Sequence, residues 1–164
     1  MKKMTATVLM ACLALTAAVP AFAHCQIPCG IYGDEMRFFI IEEHITTIEK
    51  SMNQIKELSY AADQNVNQLA RWVNNKEDHA DALVEIVTQY FLSQRIKPAD
   101  SGDKKAYADY TNKLTLLHKI MVHSMKAKQT TDQEHIDALR ALTKEFKIAY
   151  LGKEAVKHLE EHHK

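Results

Sequence analysis

Apolar residues recur at helical spacing along most of this chain. Phe38, Ile41, Ile45, Ile48, Met52 and Ile55 follow one another at intervals of three and four residues, which places them on one face of a helix. A first helix is therefore predicted over residues 34–58, with Asp34 and Glu35 suited to its positive N-terminus. Val66, Leu69 and Val73 open a second stripe that Leu83, Ile86, Val87, Tyr90 and Phe91 continue, and Asn74-Asn75 either breaks or bends it. Pro98 and Asp100-Ser101-Gly102 end it and mark the main loop. Tyr107, Tyr110, Leu114, Leu117 and Met121 line a third helix. Thr131 with Glu134 forms a capping-box pattern opening a fourth, which Ile136, Leu139, Leu142 and Phe146 line and Gly152 caps. Short connections between helices of ~20 residues argue for antiparallel neighbours. The expected fold class is all-α, an up-down four-helix bundle over residues 33–152 preceded by a short N-terminal hook.

The first 23 residues follow another pattern. Lys2 and Lys3 precede an apolar run over residues 8–19, and Ala21-Phe22-Ala23 closes it with a small-x-small ending. That is the three-part plan of a secretory signal peptide cleaved after Ala23. The run is shorter than the roughly 20 residues a bilayer span needs. A lipoprotein-type site at Cys12 fits less well, because only eleven residues precede it. Signal peptidase is thus an expected partner, and the expected location is outside the cytoplasm, periplasmic or extracellular, with no membrane attachment after cleavage.

Composition adds exclusions. The 164 residues are 46% hydrophobic and 26% charged, enough for one domain with a core. Lys and Arg total 21, as do Asp and Glu, so no basic field points to nucleic acid. Cleavage after Ala23 removes Cys12 and leaves Cys25 and Cys29 as the only thiols.

Those two cysteines sit in His24-Cys25-Gln26-Ile27-Pro28-Cys29-Gly30-Ile31-Tyr32, residues 24–32, where the chemistry concentrates. Once the leader is removed, His24 offers an α-amine and an imidazole. The amine and the Cys25 amide nitrogen close one five-membered chelate ring on a metal, and that amide with the Cys25 sulfur closes a second. Cys29 can supply a fourth in-plane donor. An N2S2 square signals Cu(II) or Ni(II) rather than tetrahedral zinc, and the imidazole remains as an axial donor. Pro28 and Gly30 allow the turn that brings Cys29 back. Turn N–H groups could hold a small anion, with Tyr32 close enough in sequence to overhang the open face.

His-Cys-x-x-Pro-Cys-Gly-x-Tyr directly after a leader resembles the nickel hook of nickel-containing superoxide dismutases at all nine motif positions. The resemblance implies a nickel ion cycling between Ni(II) and Ni(III), held by the His24 amine, the Cys25 amide and the Cys25 and Cys29 thiolates, with the His24 imidazole axial in the oxidised form. It implies superoxide as substrate, oxygen and hydrogen peroxide as products, Tyr32 over the vacant axial face, and the Gln26 and Cys29 amides lining a small-anion pocket there. It also implies a homohexamer. Related enzymes position the axial imidazole with a glutamate and an arginine. Here an ungapped count puts those positions at Ile40 and near His79, with Glu42, Glu43 and Arg71 as nearby alternatives.

Other readings stand beside these. Cys25 and Cys29 could pair as a disulfide in an exported protein, and the same amino-terminal chelate would serve an exported nickel or copper carrier. The stretch 153–164, with His158, His162 and His163, is expected to be a charged, solvated tail rather than a metal site. Met52 and Met121 read as core filler, Trp72 as packing, and His44, His118, His123 and His135 as surface or interface residues.

Overall fold

The computed structural model describes residues 33–63 and 65–162. The hook residues His24, Cys25, Cys29 and Tyr32, and the leader, lie outside the described residues. The chain forms α1 (Gly33–Tyr60), α2 (Val66–Glu85) running directly into a π-helical segment (Ile86–Arg95), α3 (Lys104–Gln129), α4 (Gln133–Leu151) and a short α5 (Lys153–His162). No helix among the described residues is long and apolar enough to cross a membrane.

Cross-helix contacts fix the topology. His44 meets His79 and Ser51 meets Asn75, so α1 and α2 are antiparallel. Ser124 meets the Ala80 carbonyl and, further along α3, the Ala127 carbonyl meets Lys76, so α3 runs against α2. Asp34 meets Tyr150, Glu42 meets Lys147 and Glu49 meets Arg140, so α4 runs against α1. With α3 also packed on α4, the ring closes as the expected up-down arrangement.

The α1 stripe is buried from Phe38 to Met52, while Ile55 is only partly so. Beyond residue 52 the helix outruns α4, whose N-terminus lies level with Glu49. The first half of α2 projects with it. Val66, Leu69 and Val73, expected to face the core, lie outside it, with Val66 67% and Val73 37% exposed. The buried face of α2 instead starts at Lys76 and Ala80 and continues through Leu83 to Val87. Asn74-Asn75 neither breaks nor ends the helix, and Asn75 donates to Ser51 Oγ across the α1–α2 contact at 2.9 Å.

Lys76 is buried at the α2–α3 contact, where its ammonium donates to the carbonyls of Ala127, Lys128 and Thr130 at the end of α3. Those carbonyls have no partner within the helix, and the buried charge is satisfied by them. Asp103 caps the start of α3 through the Lys105 and Ala106 amides. The Thr131–Glu134 capping box does not form: Asp132 is the N-cap of α4, and its amide donates to Thr130 Oγ. Gly152 ends α4 at φ 89°, its amide donating to the Ile148 carbonyl. Residues 153–162, read from sequence as a solvated tail, form α5 instead, because Val156 and Leu159 give it a buried side.

Phe38, Phe91 and Phe146 are fully buried and pack with centroids 4.9–5.6 Å apart, in the range of favourable aromatic pairs. This trio joins α1, the π segment and α4. Phe91→Ala is expected to destabilise the fold by about 3–5 kcal/mol, read as a lowered midpoint with unchanged slope in denaturant unfolding.

Candidate functional site

The chain enters α1 at Gly33, whose φ of 78° lies in the left-handed region open to glycine at no steric cost. One residue on, Asp34 is gripped from two sides. Its Oδ1 accepts from the Tyr90 hydroxyl, and its Oδ2 accepts from the Tyr150 hydroxyl at 2.6 Å. Arg95 Nε forms an ion pair with Oδ1 at 3.1 Å, and Arg95 Nη2 donates to the Tyr90 oxygen at 3.0 Å. The guanidinium groups of Arg37 and Arg95 lie over the Tyr90 ring, 4.8 and 4.9 Å from its centroid. Residues from α1, the π segment and α4 thus converge on the first turn of α1, the point from which residues 24–32 leave.

The electrostatics follow from the partners. Burial alone would raise the Asp34 pKa, but the hydroxyls of Tyr150 and Tyr90 and the Arg95 charge together hold it below its ordinary value. Burial and the adjacent Asp34 charge push both tyrosine hydroxyls up, so they stay protonated donors. A cavity of about 310 Å³ adjoins the clasp, lined in part by Arg95, Lys97, Lys113 and Tyr150.

The π register builds this clasp. In an α-helix, residues three and four apart share a face; here residues five apart do. Arg95 reaches Tyr90, Ser93 donates to the Thr88 carbonyl and Gln94 to the Gln89 carbonyl, all at a separation of five. Tyr90 and Arg95 therefore act on the same carboxylate.

The positions weighed as supports for the His24 imidazole fall on different faces. Ile40 is half-buried. Glu42 turns to α4 and pairs with Lys147 at 3.2 Å. Glu43 is exposed. Arg71 lies on the projecting part of α2, beside Gln68, Trp72 and Asn75, and is not brought to Glu42 or Glu43. His79 does meet α1, but its partner is His44, Nδ1 to Nδ1 at 2.8 Å. One ring must donate and the other accept, so at least one of the two is neutral. Burial, and then the His79 charge, lower the His44 pKa. Sequence reasoning missed Tyr90, Arg95 and Tyr150 as a unit with Asp34, since helical spacing marks the tyrosines only as apolar-face residues.

The clasp predicts an acid response. Folded Asp34 has a lowered pKa, so between that value and its ordinary 3.8 the unfolded chain binds more protons. Its stabilisation is full above this window and is lost as pH falls through the folded value. Asp34→Asn should flatten the acid limb of the stability curve, measured by denaturant unfolding across pH 2–6; an unchanged slope would place the acid sensitivity elsewhere.

The family model described as nickel-containing superoxide dismutase matches residues 19–154, taking in the hook motif, the clasp and the four main helices. No curated relative and no solved structure matches the chain. The match covers most of the sequence, and the chain therefore belongs to the nickel-containing superoxide dismutases, with nickel as its cofactor and the conversion of superoxide to oxygen and hydrogen peroxide as its activity.

Proposed function

We propose that this dismutation is carried by residues 24–32 after cleavage behind Ala23, in a chain exported to the periplasm or the exterior. The observation that carries the reading is the nine-position hook motif inside the family match. The donor set fits nickel: an amine and an amide nitrogen with two thiolates form a soft, electron-rich square suited to a d⁸ ion. His24 supplies the amine and, through its imidazole, a further donor; Cys25 supplies amide and thiolate; Cys29 supplies the second thiolate. When bound, nickel supplies a one-electron couple, so that one superoxide is oxidised to oxygen and a second, with two protons, is reduced to hydrogen peroxide.

The rest of the work belongs to the chain. Tyr32 carries a hydroxyl able to hydrogen-bond a small anion, and the Gln26 and Cys29 amides can do the same. The Asp34 clasp anchors the first turn of α1, two residues after Tyr32 in the sequence. Arg37, Arg95 and Lys97 at that end favour approach of an anion. Assembly into a hexamer is part of the proposal, supported by the apolar Tyr60, Val66 and Val73 exposed on the projecting α1–α2 corner. No observation favours the carrier reading.

N-terminal sequencing, nickel content and superoxide consumption on one sample test the proposal. Adding a single alanine before His24 converts the amine to an amide and should abolish activity; full activity in a sequence-verified extended protein would sink the mechanism. Cys25→Ser and Cys29→Ser should each lose nickel retention and turnover, because a hydroxyl is a harder and far less acidic donor.

His24→Ala separates the roles of one residue. The amine, the amide and both thiolates remain, so nickel should stay bound. Turnover should drop on the order of 100-fold or more, the scale of losing one supporting interaction at a metal site. Nickel and activity both retained would remove the imidazole from the mechanism.

A further inference from the structure

Among the described residues, four buried side-chain polar atoms have no hydrogen-bond partner: Arg95 Nε, His123 Nδ1, His135 Nδ1 and Thr143 Oγ. Arg95 is accounted for by its ion pair with Asp34. Two of the others belong to imidazoles in edge contact, His123 on α3 and His135 on α4, with ring centroids 5.5 Å apart. An unpaired buried nitrogen is a cost that folds normally avoid, and of these two rings His135 is the more deeply buried.

We propose that Asp132, Glu134 and His135, at the corner between α3 and α4, form a second metal site for a borderline divalent cation of the zinc class, separate from the hook.

His135 is only 6% exposed, and its Nδ1 lies 3.7 Å from Glu134 Oε1. That is too long for a hydrogen bond. It is close to the ~3.4 Å that separates two ligands of a tetrahedral zinc with bonds of 2.0–2.1 Å. One donor atom from each of Asp132, Glu134 and His135 lies within 4.8 Å of the others, so a single ion can touch all three after small side-chain adjustments. The backbone produces this convergence. Asp132 is the N-cap of α4 and Glu134 and His135 fall in its first turn, with the His135 amide donating to the Asp132 carbonyl at 3.3 Å.

The donor types select the cation. A neutral imidazole with two carboxylates suits zinc and its neighbours; magnesium and calcium prefer all-oxygen sets, and no thiolate is present to demand a softer ion. Both carboxylates are exposed, so water can complete the coordination and the ion has an entry path. The helix N-terminus opposes a cation, and the two negative charges offset it. His123 stands beside the site on the other helix. The corner is remote from the start of α1: Gln133 contacts Glu49, sixteen residues or about 24 Å along α1 from Gly33.

The test uses the mature, nickel-loaded protein, so that the hook is already filled. Titration with Zn²⁺ should show one additional equivalent per chain and a raised melting temperature, and Co²⁺ should give visible d–d absorption. The double variant Asp132→Asn, Glu134→Gln alters only exposed side chains and should weaken zinc binding tenfold or more while leaving superoxide consumption unchanged. His135→Gln should do the same, and if that buried change impairs folding, the double variant alone decides. No extra zinc in the wild-type protein, or equal zinc affinity in wild type and double variant, overturns the proposal.

Discussion

The carboxylate of Asp34 sits where three helical segments have to agree. Its two oxygens are each claimed by a buried-side tyrosine, one from the π segment and one from α4, and a guanidinium neutralises it. A partly buried carboxylate without such partners would take up a proton or pull back to solvent. With them it becomes a fixed point, and the aromatic trio of Phe38, Phe91 and Phe146 directly behind it keeps the three segments in register. The first turn of α1 is therefore tied to two other segments of the bundle, although a helix start is ordinarily where fraying is easiest. That end is also where residues 24–32 join the bundle in the sequence.

The π segment is the less obvious half of the same constraint. Changing from i−4 to i−5 bonding weakens helix geometry, and such segments persist where a side-chain arrangement compensates. Here the compensation is identifiable: Tyr90 and Arg95 share one face, Phe91 is left to fill the core, and Ser93 and Gln94 satisfy carbonyls five residues back. The ladder ends at Ile96, whose amide still donates to the Phe91 carbonyl, immediately before the extended stretch containing Pro98.

Periodicity made the helices and most of the core legible, because burial of one face is what a three-and-four spacing encodes. The α1 stripe and the buried Leu117, Ile136, Leu139 and Phe146 lie where that spacing puts them. It failed where length, not pattern, decides burial. Val66 and Val73 have the right spacing on a helix that projects past its neighbours, and nothing local distinguishes them from Leu83 or Val87. The π register was illegible for a related reason, since Ile86, Val87, Tyr90 and Phe91 satisfy a 3.6-residue period equally well. Lys76 inverted the rule, a charged residue taken into the interior because the unpaired carbonyls at the end of α3 accept it. The family was legible for the opposite reason: the candidate donors of the hook motif are contiguous, so the motif can be read without knowing the fold.

That contrast divides the molecule. The ligand set proposed for the hook, an N-terminal amine, a backbone amide and two thiolates, is contiguous in sequence and needs no tertiary structure to gather it. The Asp34 clasp fixes the first turn of α1, the turn that follows these residues in the chain. The site at the α3–α4 corner is of the other kind. Its buried imidazole nitrogen and two carboxylates converge only because an N-cap, a first helical turn and a neighbouring helix place them together. Loosening the bundle should therefore affect the two proposed metal sites differently: the corner loses the convergence of its donors, whereas the hook's candidate donors stay contiguous in sequence.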